Sequence, residues 1–369
     1  MTHPFAAPSL LDPLRQFVDC PSLLLMQAST ANTTISNYFS NVKNKVVVFF
    51  WLEYNRTKYL ETLLEQHHQY YLKHGHLKNY FIFLSVHDYP QQLKEKYKDH
   101  FTLIVDPLLY RHYTDHVPPA QIKHGHKHLH FLSVNNRASP HRQLTYYFFE
   151  KFGLRKKSYF SYHGSLARSS LRSHDEISKH YPPNNPIWYL QGMDLEKLNQ
   201  QIPVTISGDC FDNSASEDCD WSHGQEFFYS DTFCSLVLDT YCSEDQVVLD
   251  EKSFKPIAYG HPFLLLCNRG GLKTLRSIGF KTFGDYWDES YDDLQGYDRL
   301  ETIFKLMLEI EKWSVEDINS VYTDMQPILE HNRQHFYKTL PEQFEKHSVS
   351  LFSDIKNLVF EKQKLFGVL

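Results

Sequence analysis

Three apolar runs, KVVVFFWL at 45–52, YFIFLSV at 80–86 and FTLIVD at 101–106, restrict the architecture more than any other feature of the chain. Each is long enough for a strand and rich in β-branched or aromatic residues. None alternates cleanly with polar residues, which is the pattern of a strand covered on both faces of a parallel sheet. Between the first two runs, KYLETLLEQHHQYYLKHG carries Leu60, Leu63, Leu64 and Tyr71 near helical spacing. Strand, helix and strand in that order make a βαβ unit, so residues 1–125 read as one doubly wound α/β domain.

A stretch rich in proline and histidine, PLLYRHYTDHVPPAQIKHGHKH, interrupts the pattern from Pro107 and reads as a linker. Strand signals resume with LHFLSVNN at 129–136, FCSLVLDTY from Phe233 and PFLLLC at 262–267. Helical signals follow in SPHRQLTYYFFEKF, GGLKTLRSIGF and ETIFKLMLEIEKW. Ser314 and Asp317 frame a capping box that opens a helix running through INSVYTDMQPILEHN. The polar stretch 207–232 reads as a surface loop. A second α/β domain is therefore expected over 126–330, with a helical segment over 331–369. At 369 residues the chain has room for two cores.

Several function classes are excluded or weakened. Against 44 acidic residues stand 38 basic ones, a net charge of −6, so no polyanion-binding surface covers the whole chain. The six cysteines form no CxxC pair, which argues against a zinc knuckle or a disulfide scaffold. No apolar run approaches the ~20 residues of a membrane-spanning helix, and prolines occupy the N-terminal stretch where a signal core would stand; the chain reads as cytoplasmic. There is no GxGxxG after a strand, no GxxxxGK[ST], no HExxH and no GxSxG. With 14 glycines in all, phosphate-cradling loops are scarce, and an anion site must use helix termini and side-chain cations.

The stretch LDEKSFKPIAYGHPFLLL from Leu249 offers such a site. Asp250 suits an N-cap, and EKSFKPI after it makes a short helix that Pro256 is expected to interrupt. The helix start favours an anion, Lys252 adds a full positive charge, and Glu251 accepts hydrogen bonds from hydroxyls. A carboxylate for ribose hydroxyls beside cations for a diphosphate is what a sugar nucleotide requires. The alternative is a capped surface helix with an ion pair.

The block DEKSFKPIAYGHPFLLLCNRGGLKTLRSIGFKTFGDYWDESYDDLQGYDRLETI, from Asp250 to Ile303, resembles the C-terminal block of fucosyltransferase-like and exostosin-like glycosyltransferases of viruses and bacteria. In that group a Thr/Ser-Glu-Lys stretch precedes the PF, GF-TF and DESYD elements. LSVNNRASPHR at 132–142 resembles the group's entry to its nucleotide-binding domain. The likeness covers roughly residues 128–335. Asp250 departs from the group's Thr or Ser, and Asp239 from its usual Glu, which is one methylene longer.

The resemblance implies a GT-B-like fold, two Rossmann-like domains facing a cleft, with C-terminal helices. It implies a sugar-nucleotide donor on the C-terminal side and a glycan or protein acceptor on the N-terminal side, in the host cytoplasm for a viral member. Arg137 or Arg142 would neutralise the diphosphate, Glu251 would hold ribose and Lys252 would touch phosphate, with Asp239 and Asp250 at the same site. Glu53 is the first candidate for the base that deprotonates the acceptor hydroxyl, because it follows a strand's carboxyl end, and Asp88 is the second. No cofactor and no divalent metal are expected.

Three rivals remain. Asp218-x-Asp220 has the spacing used by metal-dependent transferases. A sugar- or nucleotide-binding module would need the donor residues but no base. An enzyme that glycosylates nucleic acid would use Arg155, Lys156, Lys157, Arg168 and Arg172 on phosphates, although a run of three charges is usually a solvated face. His124, His126, His128 and His130 alternate and would share one strand face; a stacked or solvated ladder is the expectation there over a metal site.

Overall fold

The computed structural model describes residues 23–27, 46–51, most of 61–69, 80–115 apart from 87 and 100, 125–135, 138–164, 187–206, 226–240, 242, 247 and 249–364. The chain divides into two compact units, Met1–Asp115 with Lys338–Leu369, and His116–Tyr337. Sequence reading instead set the division at 125/126 and gave residues 331–369 a separate helical segment.

The first unit holds a parallel sheet of β1 (Leu23–Gln27), β2 (Val46–Trp51), β3 (Tyr80–Ser85) and β4 (Phe101–Val105), in that spatial order. All six residues of β3 are buried, which explains its unbroken apolar run. Because the strand order runs in one direction, right-handed crossovers fall on one face. The expected doubly wound arrangement needs a reversal, and this sheet has none among the described residues. Helix α1 (Gln91–Lys96) connects β3 to β4, and a 3₁₀ segment, Pro107–Asp115, follows.

The second unit carries β5 (Leu129–Asn135), β6 (Ser158–Tyr162), β7 (Thr232–Leu238) and β8 (Phe263–Leu266), all parallel, in the spatial order β6-β5-β7-β8. Here the order does reverse: the chain steps one way from β5 to β6, then the other way to β7 and β8. Beside these strands run α2 (Pro140–Phe152), α3 (Leu195–Asn199), α4 (Glu226–Asp231), α5 (Glu251–Ala258), α6 (Gly271–Ser277), α7 (Gly296–Ile310), α8 (Val315–Asp324) and α9 (Gln326–Gln334). Helix α2 is buried from His141 through Phe149. Its Phe149 stacks on Phe160 of β6 at 4.3 Å and its Phe148 on Phe304 of α7 at 4.0 Å between ring centroids.

Several local expectations are corrected. Residues 226–231 are helical and Thr232 opens β7, so the loop expected over 207–232 ends earlier; 207–225 lie outside the described residues. Pro256 does not stop α5, which continues to Ala258. The proline costs one helical hydrogen bond, but Phe254, Ile257 and Ala258 are fully buried and hold the last turn in place. The helix expected from Ser314 through Asn332 breaks at Met325, since Pro327 occupies the first turn of α9 and lacks the amide that would continue α8.

The capping box of α8 is present: Ser314 Oγ accepts the Asp317 amide at 3.1 Å and Asp317 accepts the Ser314 amide at 2.9 Å. Ser314→Ala is expected to lower unfolding free energy by about 1 kcal/mol. Urea titration at pH 7 measures this, and an unchanged midpoint would refute it.

The longest helix, α10 (Leu340–Lys364), belongs to the first unit and packs on β2 and the 3₁₀ segment. His347 Nε2 lies 3.0 Å from Asp106 at the carboxyl end of β4, and Lys362 sits 4.8 Å from the Tyr80 ring of β3.

Candidate functional site

In open parallel sheets, ligands collect outside the carboxyl ends of the strands, at the point where strand order reverses. In the second unit that point lies between β5 and β7. Asp239 and Thr240 follow β7 directly, the start of α2 follows β5, and Asp250 stands just before α5 as its N-cap. The charged groups of these segments interact. Asp250, Asp239 and Arg142 all influence the Lys252 ammonium, and Arg142, Asp250 and Lys252 influence the His141 ring.

Asp250 caps α5, its Oδ1 accepting the Lys252 amide at 2.9 Å. Its Oδ2 accepts the Thr240 hydroxyl at 2.7 Å, the Thr240 amide at 3.3 Å and the Lys252 ammonium at 2.7 Å. Asp239 is fully buried. Its Oδ1 accepts the Thr240 amide at 2.6 Å, and its Oδ2 accepts the Ser253 hydroxyl at 2.9 Å and the Asp250 amide at 3.4 Å. These bonds fasten the start of α5 to the end of β7, so Asp239 acts as a brace inside the site.

The two carboxyls differ electrostatically. Burial raises Asp239 well above the ordinary carboxylate range, and the charge of Asp250 adds to that. Burial also opposes ionisation of Asp250, but the Lys252 ammonium and several hydrogen bonds outweigh it and hold this carboxyl below its usual range. Lys252 shows the complementary balance: burial works against its charge, and Asp250 and then Glu251 keep it protonated above the ordinary lysine value. The two carboxyls are therefore pushed in opposite directions, Asp239 toward its protonated form and Asp250, which faces Lys252, toward the carboxylate.

Arg142 is buried at 4% exposure and donates to the Leu238 carbonyl at 2.9 Å, at the very end of β7. Beside it, the His141 Nε2 atom lies 2.9 Å from the Asp239 carbonyl oxygen. Burial, followed by the Arg142 charge, lowers His141 to about 3, so the ring is neutral at physiological pH. Exposure is greater at Lys252, whose side chain is 35% exposed, at Glu251 with 28%, and at Thr240. Thr240 is the functional candidate that sequence reading missed, although its place just after a strand's carboxyl end is the kind of signal that singled out Glu53.

Of the remaining candidates, Glu53, Arg137, Asp218 and Asp220 lie outside the described residues, as do His124, Arg168 and Arg172. Asp88 is 62% exposed and pairs with Lys94 at 2.9 Å, which lowers its carboxyl and makes it a weaker proton acceptor. In the basic run, Arg155 pairs with Glu150 and Lys157 with Glu311, so two of its three charges are matched by acids. The His126 and His128 rings lie 4.8 Å apart but tilted by 42°, and buried His130 lies against the Trp313 carbonyl.

The DESYD segment is an internal anchor. Glu289 accepts from the Phe283 amide, the Thr282 hydroxyl and Arg276, and Asp292 accepts two amides at the start of α6. Among the described residues, no group of three or more His, Cys, Asp or Glu is arranged to hold a metal ion, and no helix is long and apolar enough to cross a membrane. Comparisons with models of protein families, with curated proteins and with solved structures gave no match.

Proposed function

We propose that the chain is a glycosyltransferase of GT-B type that binds a nucleotide-activated sugar at the reversal point of the second sheet and transfers the sugar to a hydroxyl of a glycan or glycoprotein. The observation that carries this reading is the cluster at the carboxyl edge of β7, where a partly exposed lysine, a hydroxyl and a carboxylate converge on the start of α5. In this reading the two units are the two lobes of that architecture. Lys252 meets the diphosphate, and Glu251 receives ribose hydroxyls. Arg142 contributes positive potential from behind the strand end.

As the bond between sugar and nucleotide breaks, negative charge grows on the outer phosphate, and a fixed ammonium lowers the barrier where that charge develops. Such a site needs no divalent metal, and turnover is expected to continue in EDTA. Asp239 keeps α5 in place through its bonds to Ser253 and the Asp250 amide.

A panel of nucleoside mono- and diphosphates in a thermal-shift measurement tests the reading. At ten times its dissociation constant, the matching nucleoside diphosphate should stabilise the protein by about 1.4 kcal/mol, and Lys252→Ala should abolish the shift. If no nucleoside diphosphate moves the transition, the donor reading fails. Release of free nucleotide from the sugar nucleotide then separates a transferase from a module that only binds.

A further inference from the structure

Transfer to a hydroxyl needs a base for the hydroxyl proton, and the cluster at the start of α5 has its acids committed elsewhere. Asp250 is held by Lys252 and Thr240, Asp239 is fully buried, and Glu251 lies against the Lys252 ammonium. The buried His141 ring, lowered to about 3, is too weak a base.

The first unit holds a different arrangement at the carboxyl end of β4. Asp106 follows that strand directly, and its amide donates to the Ser85 carbonyl of β3 at 2.8 Å. Its side chain is 6% exposed, and Oδ1 accepts the Leu108 amide at 2.9 Å. Oδ2 is buried and accepts no hydrogen bond among the described residues, although His347 Nε2 of α10 stands 3.0 Å away. The ring is thus at contact distance but off the line of a hydrogen bond, and the His347 side chain is 47% exposed. An unpaired, buried carboxylate oxygen behind a half-exposed imidazole favours the ring once it takes up a proton.

We propose that His347, backed by Asp106, is the base that takes the proton of the acceptor hydroxyl, making transfer a single displacement with inversion at the anomeric carbon. The inference rests on the transferase reading above and supplies the base that reading lacks. The hydroxyl oxygen bonds to the anomeric carbon and its proton passes to the ring nitrogen away from Asp106. The bond to the diphosphate breaks, and its electron pair leaves on the phosphate oxygen. Positive charge then appears on a ring 3.0 Å from a desolvated carboxylate, an attraction that grows only as the proton moves. His347 is the catalytic residue, and Asp106 positions and stabilises it.

Release of free nucleotide from UDP-glucose, UDP-N-acetylglucosamine, GDP-mannose and GDP-fucose by the full chain tests this, with water and with azide as acceptors. Water must give up a proton, whereas azide attacks as an anion and needs no base. With water, His347→Gln should release nucleotide about 100-fold more slowly than the parent, and Asp106→Asn about tenfold more slowly. Azide should bring both variants to within about threefold of the parent, a recovery that a merely structural defect would not show. Proton NMR should find the sugar azide inverted relative to the donor. Release from water by His347→Gln at the parental rate, absence of recovery in azide, or a retained configuration overturns the proposal. The transferase reading fails separately, and takes the proposal with it, if the parent releases nucleotide with neither acceptor.

Discussion

Asp292→Ala is expected to destabilise the second unit by about 4 kcal/mol. Arg299 is completely buried, and its guanidinium donates to Asp292 Oδ1 at 2.8 Å, to the Leu265 carbonyl at 3.1 Å and to the Asn268 carbonyl at 2.9 Å. The same Asp292 carboxylate accepts the amides of Leu272 and Lys273 in the first turn of α6. Removing it strands a buried cation beside neutral carbonyls and strips two amides of their acceptor. Both losses fall in the large class, because an uncompensated charge in the interior keeps its full desolvation cost. Urea unfolding at pH 7 measures the effect, and a loss below about 1.5 kcal/mol would show that the charge pair is relieved by some other route.

Acid should also weaken the protein well above the range in which carboxylates usually titrate. His141 and His261 are almost fully buried, and burial lowers each to about 3. In the unfolded chain the same rings take up protons near 6.5. Between those values the unfolded state binds more protons, so the stability contributed by the neutral rings is present above about 6.5 and is lost as pH falls. From pH 7 to 4.5 the pair costs about 5 kcal/mol.

Asp239 works in the opposite sense. Its raised carboxyl binds a proton in the folded state that the unfolded chain releases, which favours folding as pH falls through the same window. His130 and His335 are lowered and lean with the first pair, whereas Glu289 is raised and leans with Asp239. Lys127, lowered to about 8, changes stability only above that pH, and Asp250 only below the ordinary carboxylate range. The parent protein should therefore lose less than the histidines alone dictate, and Asp239→Asn should expose nearly the whole loss of about 5 kcal/mol. Parallel pH dependences in the two proteins would show that Asp239 is ionised in the fold.

Strands β3, β5, β7 and β8 were legible because burial along nearly their whole length leaves an apolar run, and β2 and β4 were legible by their apolar runs alone. Strands β1 and β6 were missed, the latter because SYFSY mixes serine with aromatics. The order of strands leaves no local trace. One sheet runs in a single direction and the other reverses, yet their strand sequences look alike.

At the site, Asp250 was legible as a cap because capping depends on residues within one turn. The brace role of Asp239 was not, since it requires knowing that Ser253 and the Asp250 amide come to meet it. Arg142 entered as a ligand contact through the family resemblance; its bond to the Leu238 carbonyl joins residues 96 positions apart and leaves no local trace. The partner of Asp292 lay seven residues away in Arg299, too far along the chain to read as an ion pair.

The return of α10 to the first sheet bears on biosynthesis. Residues 116–337 leave the ribosome before any part of Lys338–Leu369, so the residues of the first unit are all available only after those of the second. A nascent chain halted before residue 338 presents β2 and the Asp106 carboxylate without the helix that covers them. The first unit therefore gains the cover of α10 only after residues 340–364 have been made.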